Sequence, residues 1–131
     1  MKIESDLKLD FANVLIRPKR STINSRSLVD LERTFTFPNT KTTWTGVPII
    51  ASNMDTVGCF SLYRELSKYK MITAFHKFYD VDDYVNEINK NGDLDENYFM
   101  VTSGIANKDF ERLNHILEKI KCKWICIDVA N

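Results

Sequence analysis

Four short apolar runs along the chain stop abruptly in polar residues. They cover positions 48–51, 71–75, 98–101 and 124–127, and the residues that follow them are Ser52-Asn53, His76-Lys77, Thr102-Ser103-Gly104 and Asp128. Strands of a buried parallel sheet have this pattern, because both faces of the sheet are covered and functional groups come where the backbone leaves it. The sequence therefore predicts four parallel strands with polar residues at their carboxyl ends.

Amphipathic helices are predicted between these strands. The first covers about Phe60 to Tyr69, the second starts at the N-cap Asp80 and ends at Asn91-Gly92, and the third covers Lys108 to Ile120 with Asn107 as its cap. Strict alternation of short strands and helices indicates βαβ units with right-handed crossovers. We therefore expect an α/β fold in which four parallel strands and three helices form the N-terminal half of a (β/α)8 TIM barrel.

The length of the chain agrees with a partial barrel. Residues 46–131 would supply strands one to four, with Gly46 opening the first buried strand. A complete barrel takes about 250 residues, whereas this sequence has 131 and stops at Asn131, directly after the fourth strand. We therefore expect a single domain that is the first half of a longer protein.

The first 45 residues precede the sheet and follow another pattern. Positions 1–27 form a polar leader with one apolar patch, and polar and aromatic residues then alternate at Thr34–Phe37 and at Thr43–Thr45. This alternation predicts a β-hairpin or arm ahead of the sheet. The basic, hydroxyl-rich segment 19–26 is either a solvated loop or a contact for phosphate groups, because arginine and serine donate hydrogen bonds to phosphate oxygens.

Composition narrows the class of protein. Lys plus Arg equals Asp plus Glu at 18 each, so the zero formal net charge gives no electrostatic reason to expect nucleic-acid binding. No apolar run approaches the ~18 residues of a transmembrane helix, and the first residues have no signal-peptide core. Cys59, Cys122 and Cys126 lack both the spacing of a metal site and a neighbouring base, so we interpret them as reduced thiols of a cytoplasmic protein.

The polar residues at the strand ends are the candidate site. Lys77 and Asp128 come at the ends of the second and fourth apolar runs, where a barrel carries its functional residues. His76 could act as a general base, but a packed or hydrogen-bonded histidine is the favoured interpretation. Ser103-Gly104 is interpreted as a turn with a weak phosphate role, and His115 as an exposed helix residue.

Several segments of the chain resemble the GMP reductase family. They are Leu7–Phe11, Val14–Ser21, Leu31–Phe37, Asn53–Gly58, Thr73–Lys77 and Ile127–Asn131. The resemblance runs from the leader to the last residue, and it is therefore more specific than a match to one isolated motif.

Two features favour the reductase over IMP dehydrogenase, a relative that shares Met54–Val57. The segments Arg17–Arg20 and Glu32–Phe35 resemble the reductase. Most dehydrogenases also insert regulatory nucleotide-sensing modules after the second strand and helix, whereas Asn91–Asp93 is only a short link to the third strand here. Some dehydrogenases lack the insert, so an insert-free IMP dehydrogenase stays open as an alternative.

The resemblance implies NADPH-dependent reductive deamination of GMP to IMP and ammonia, a step of purine nucleotide interconversion. In the family, a cysteine thiolate attacks C2 of the purine, ammonia leaves, and hydride then reaches C2. That cysteine lies on a loop after the sixth barrel strand, so no catalytic residue is assigned to this chain, and its three cysteines do not match. Asn53 and Met54, where the related dehydrogenase touches the purine, are weaker candidates for contact with the nucleotide.

The resemblance places part of the cofactor site in this chain. It implies that NADPH contacts Ser25, Arg26, Lys77, Asp128, Val129 and Ala130. Cations such as Arg26 and Lys77 suit phosphates, including the 2′-phosphate of NADPH, and Asp128 suits the carboxamide or ribose of the nicotinamide half. The family is tetrameric, so Ser25 and Arg26 would serve either their own or a neighbouring subunit's site.

A third alternative belongs to another class of protein. A product of only 131 residues would be a non-catalytic fragment that pairs its open sheet edge with another chain.

Overall fold

A computed structural model describes residues 5–129 of the chain. The chain divides into two compact units, Met1–Asp30 and Leu31–Asn131, which are described separately. The predicted hairpin belongs to the same unit as the sheet, and the leader forms a unit of its own. The assignment of the whole chain to one domain stays a prediction.

The leader unit has little regular structure. Short 3-10 turns cover Phe11–Asn13 and Arg26–Leu28. The Asp10 carboxylate accepts a hydrogen bond from the Phe11 N–H at 2.7 Å and so caps the first turn. Leu15 and Ile16, in the predicted apolar patch, are almost fully exposed within the described residues.

An antiparallel hairpin opens the second unit, which confirms the predicted arm. Strands β1 (Arg33–Thr36) and β2 (Thr43–Gly46) pair with Phe35 opposite Trp44. The two rings lie 6.2 Å apart in a stacked arrangement, and cross-strand aromatic pairs of this kind stabilise hairpins. Gly46 ends β2 and does not open the parallel sheet, which is a correction to the expected boundary. The three residues 47–49 carry the backbone from one sheet to the other.

The second sheet is parallel, as predicted. Among residues 5–129 it contains β3 (Ile50–Ala51), β4 (Ile72–Ala74), β5 (Phe99–Ser103) and β6 (Ile125–Ile127), hydrogen-bonded in that order. Helix α1 (Phe60–Leu66), which a 3-10 turn extends to Tyr69, α2 (Val81–Asn91) and α3 (Asn107–Lys119) form the three crossovers. The fold is α/β, with the strand order and alternation of part of a (β/α)8 barrel. We call this sheet the parallel sheet.

Two strand predictions need correction. Thr102 and Ser103 were expected after the third strand, but they lie inside β5 and are buried, because Ser103 still pairs with Ile127 of β6. The first and fourth strands were expected to be buried, but Ile50 and Ile127 are each about half exposed. Within the described residues these edge strands have a neighbouring strand on one side only. Their other side is open to solvent, whereas β4 and β5 lie between two strands.

The helix ends follow the predicted signals with one exception. The Asp80 carboxylate accepts hydrogen bonds from the N–H groups of Asp82 and Asp83, and Gly92 ends α2 at a φ of 84°. Helix α3 already begins at Asn107, so Asn107 is not its cap. The Asp109 carboxylate instead accepts from the Ala106 N–H at 3.1 Å, since a carboxylate three residues into the helix can reach back.

The core lies between the helices and the outer face of the parallel sheet. Phe75, Phe99 and Val101 point to this face and are fully buried. They pack against Tyr63 of α1, Tyr84 of α2, and Leu113 and Ile116 of α3. Aromatic rings dominate the cluster, and many of them meet edge to face, the arrangement that ring quadrupoles favour.

The hairpin lies at the amino-terminal edge of the parallel sheet. The Trp44 indole N–H donates to the carbonyl of Asn97, just before β5, at 2.9 Å. The Val47 N–H donates to the carbonyl of Lys70, just before β4, and the Phe37 ring lies 5.1 Å from that of Trp124, just before β6. All three contacts are at the start of a strand, so the carboxyl ends lie at the opposite edge.

None of the helices within residues 5–129 combines the length and apolar character that a membrane crossing requires.

Alkaline pH should destabilise the core through Tyr84. Burial raises the pKa of its hydroxyl well above the ordinary value, so its contribution to stability is full below the unfolded pKa of about 10 and is lost as pH rises further. We expect Tyr84→Phe to lose less free energy of unfolding than the wild type between pH 8 and a pH above about 10. Urea denaturation at the two pH values measures this, and an equal loss in both proteins would contradict it.

Candidate functional site

The carboxyl ends of β3, β4 and β6 present their polar residues at one edge of the parallel sheet. Asn53 follows β3, Lys77 follows β4, and Asp128 and Val129 follow β6. Because all the strands of this sheet are parallel, these positions share an edge. We call the four residues the rim.

Two rim residues from opposite edge strands are in direct contact. The Asn53 side-chain amide donates a hydrogen bond to an Asp128 carboxylate oxygen at 2.9 Å. In a flat sheet, strands three places apart are separated by about 14 Å. The contact therefore requires the residues after β3 and β6 to converge on a common centre. The Asp128 N–H also donates to the Ser103 carbonyl at 3.1 Å, which ties its backbone to β5.

The loop that carries Asn53 is held by close backbone contacts. The N–H groups of Val57 and Gly58 both donate to the Met54 carbonyl, which closes a tight turn. The Gly58 carbonyl in turn accepts from the His76 N–H at 2.9 Å, so the loop is joined to the end of β4. A Cβ atom at position 58 would clash with the Ala74 carbonyl oxygen and lie 2.9 Å from that of Ser52. Only glycine fits this approach.

Lys77 is an exposed cation on a well-held loop. Its Nζ lies 5.8 Å from the centroid of the Phe78 ring, and no acidic group pairs with it within residues 5–129. The neighbouring Tyr79 ring packs between Phe60, at 4.1 Å, and His76, at 3.9 Å. The backbone beneath the ammonium group is therefore fixed, while the charge itself faces solvent.

His76 is a packed histidine, which confirms the favoured interpretation. It is buried, and its Nδ1 accepts a hydrogen bond from the Phe78 N–H at 3.3 Å. An accepting Nδ1 places the proton on Nε2 in the neutral ring. These contacts place His76 in the packing of the loop that carries Lys77.

The other predicted site residues lie elsewhere. Ser25 is the N-cap of a 3-10 turn in the leader unit, where its Oγ accepts from the Ser27 N–H at 3.3 Å. Arg26 and the whole segment 19–26 are exposed. Val129 is about half exposed, and Ala130 lies outside the described residues.

The three cysteines are free thiols of intermediate burial. Burial raises the pKa of the Cys122 thiol, and its Sγ donates to the Trp124 carbonyl, so this group is held in its unreactive form. In the described part of the chain no three His, Cys, Asp or Glu side chains form a group that could hold a metal ion. His115 is exposed, as expected.

The rim offers the two kinds of group that a dinucleotide requires. Asp128 presents a carboxylate that one amide donor already orients, and Lys77 presents a cation without an acidic partner in the described residues. Sequence reasoning found both from their position after apolar runs. It gave Asn53 only as a weaker candidate for contact with the purine nucleotide, and the hydrogen bond of Asn53 to Asp128, 75 positions away, leaves no local signal.

No family model matches the chain. Known proteins nevertheless resemble it along almost its entire length. Human GMP reductase 2 is 51% identical over 130 residues, which cover 98% of this chain and 37% of the relative. Human GMP reductase 1 and the GMP reductase of Escherichia coli O81 (strain ED1a) are each 49% identical, and the chain covers 38% of each.

The chain belongs to the IMP dehydrogenase/GMP reductase family. It spans a little over a third of the length of these relatives. Among solved structures, the IMP dehydrogenase of Legionella pneumophila matches with a TM-score of 0.67 at 24% identity, covering 92% of this chain and 35% of that one. At this identity the likeness concerns the fold alone, and it agrees with the barrel-like order of strands and helices.

In this member of the family, Gly58→Ala should displace the loop that carries Asn53. The added methyl group meets the Ala74 and Ser52 carbonyl oxygens, which belong to backbone and cannot rotate away. We expect a loss of about 1–3 kcal/mol in the free energy of unfolding. Urea denaturation checks this, with Lys68→Ala on the exposed surface as the control. Equal stability of Gly58→Ala and wild type would contradict the close approach.

Proposed function

We propose that the chain is the cofactor-binding part of an NADPH-dependent GMP reductase, which converts GMP to IMP and ammonia by reductive deamination. The observation that carries the proposal is the identity of about 50% to GMP reductases along the entire chain. The convergence of Asn53 and Asp128 at the rim supports it, because it gives this part of the chain a group of polar side chains that a cofactor could contact.

Asp128 is proposed to accept hydrogen bonds from the nicotinamide half of the cofactor. One of its oxygens is engaged by Asn53, and this contact fixes the direction of the other. Ribose hydroxyls and the carboxamide NH2 are donors of the required kind. Val129 and Ala130 follow in the chain and would contribute backbone groups.

Lys77 is proposed to bind a phosphate of the cofactor, and Arg26 to bind one in its own or a neighbouring subunit's site. Both are exposed cations, and a phosphate oxygen makes a strong charge-assisted hydrogen bond with either. An extra cation is what distinguishes a site for the 2′-phosphate of NADPH from one for NADH. Ser25, next to Arg26, would add a hydroxyl donor.

When bound, NADPH supplies the hydride that replaces the amino group at C2 of the purine. The nucleophilic cysteine of the proposed mechanism is not among Cys59, Cys122 and Cys126. Cys122 is held protonated by burial, and none of the three lies on the rim as defined above. This chain would therefore bind and orient the cofactor. The proposal includes a homotetramer in the cytoplasm.

The activity test is the oxidation of NADPH by the protein that carries this chain. We expect oxidation only when GMP is present, with IMP and ammonia as products in equal amounts. Reduction of NAD with IMP as substrate would instead assign the chain to an IMP dehydrogenase without the regulatory insert. Absence of both reactions from a folded, complete protein would contradict the proposal.

Loss of either cation should weaken the cofactor more than the substrate. We expect Lys77→Ala and Arg26→Ala each to raise the KM for NADPH about tenfold, as the loss of one charge-assisted hydrogen bond would do, with little change in the KM for GMP. Lys90→Ala is the matched control, because Lys90 is also an exposed lysine and lies at the end of α2. An NADPH dependence unchanged in both variants would remove these assignments.

A further inference from the structure

Arg112, on α3, joins two separate backbone segments. One terminal nitrogen of its guanidinium donates to the Tyr79 carbonyl at 2.7 Å, and the other donates to the Thr102 carbonyl at 2.6 Å. The side chain is half-buried, so both hydrogen bonds are partly shielded from water. A planar guanidinium holds two acceptors in a fixed geometry, which few other side chains can do.

Both acceptors belong to segments that lead to the rim. Tyr79 lies two residues after Lys77, in the same loop, and its ring packs against His76 at 3.9 Å. Thr102 immediately precedes Ser103, and the Ser103 carbonyl accepts the Asp128 N–H. One arginine therefore connects the loop that carries the rim cation to β5, the strand whose Ser103 carbonyl accepts the N–H of the rim carboxylate residue.

We propose that Arg112 is a positioning residue that sets the spacing of Lys77 and Asp128 for the dinucleotide. The inference rests on the proposed function, because it concerns the same cofactor site. Arg112 itself donates to two carbonyls and touches no rim side chain through these contacts. It acts through the backbone, and its loss would alter cofactor affinity without removing either charged group.

Arg64 provides a control of the same chemistry at another place. Its guanidinium also donates to two backbone carbonyls, those of Gly92 at 2.6 Å and Asp93 at 3.1 Å, and it pairs with Glu87 at 2.9 Å. Residues 92 and 93 lead into the amino end of β5, away from the rim. Substituting Arg64 should cost stability but should leave the rim in place.

The test compares Arg112→Lys with Arg64→Lys in the complete protein that carries this chain. Lysine keeps the charge and the aliphatic stem, but its compact ammonium group cannot reproduce the planar fork. Arg112→Gln, whose side chain is shorter and has one amide nitrogen in place of the two that donate here, is a second variant in case the first fails to fold. All variants are compared at a temperature well below their unfolding transitions.

The first readout is amide hydrogen exchange, resolved by residue. In Arg112→Lys we expect the amides of Phe78 and Asp128 to exchange about tenfold faster, the factor that loss of one ordinary hydrogen bond gives. In Arg64→Lys these two amides should exchange as in the wild type. If the rim amides respond equally to both substitutions, Arg112 is only a structural contact and the inference is overturned.

The second readout is the dissociation constant for NADPH, measured by isothermal titration calorimetry. We expect it to rise severalfold in Arg112→Lys and to stay unchanged in Arg64→Lys. If the wild type binds NADPH and Arg112→Lys binds it equally well, the positioning role alone is overturned. If the folded, complete wild-type protein binds no NADPH, the proposed cofactor site fails and the positioning role fails with it.

Discussion

Parallel pairing of the strands is the constraint on which the rest of the structure depends. Because β3 to β6 run in one direction, the residues directly after each strand lie at one edge of the sheet and those directly before each strand lie at the other. The hydrogen bond between Asn53 and Asp128 depends on this arrangement. An antiparallel β6 would place Asp128 beside the hairpin.

The outer face and the two edges of the sheet consequently have different roles in the structure. Aromatic rings between the helices and the outer face supply the stable core, with Phe75 and Phe99 fully buried. The hairpin occupies the amino edge through Trp44 and Phe37. At the carboxyl edge Lys77 and Asp128 are exposed, so their charged groups are accessible to a ligand. Two arginines, Arg64 and Arg112, tie loops at these opposite edges to the helices.

The pattern of apolar and polar positions was sufficient for the fold, because it reports burial on both faces of a strand. It located all three helices and the N-cap Asp80. It failed at the edge strands, where Ile50 and Ile127 are apolar yet half exposed, since a residue type does not reveal whether a neighbouring strand is present. It also placed the α3 cap one residue late, because Asp109 caps from inside the helix.

The candidate site was only partly accessible from sequence, for a similar reason. Lys77 and Asp128 could be selected because each follows an apolar run. The partners that hold them are distant in sequence: Asn53 reaches Asp128 across 75 positions, and Arg112 reaches Tyr79 across 33. Side-chain contacts of this range depend on the tertiary fold and leave no local pattern.

The most direct test of the central claim is a nuclear Overhauser measurement between the ends of β3 and β6. With ¹⁵N-labelled asparagine, the side-chain amide protons of Asn53 should show cross-peaks to the β-protons of Asp128, because the two groups share a 2.9 Å hydrogen bond. Sharp resonances for both residues without such cross-peaks would show that the rim does not converge, and the account of the cofactor site would be wrong.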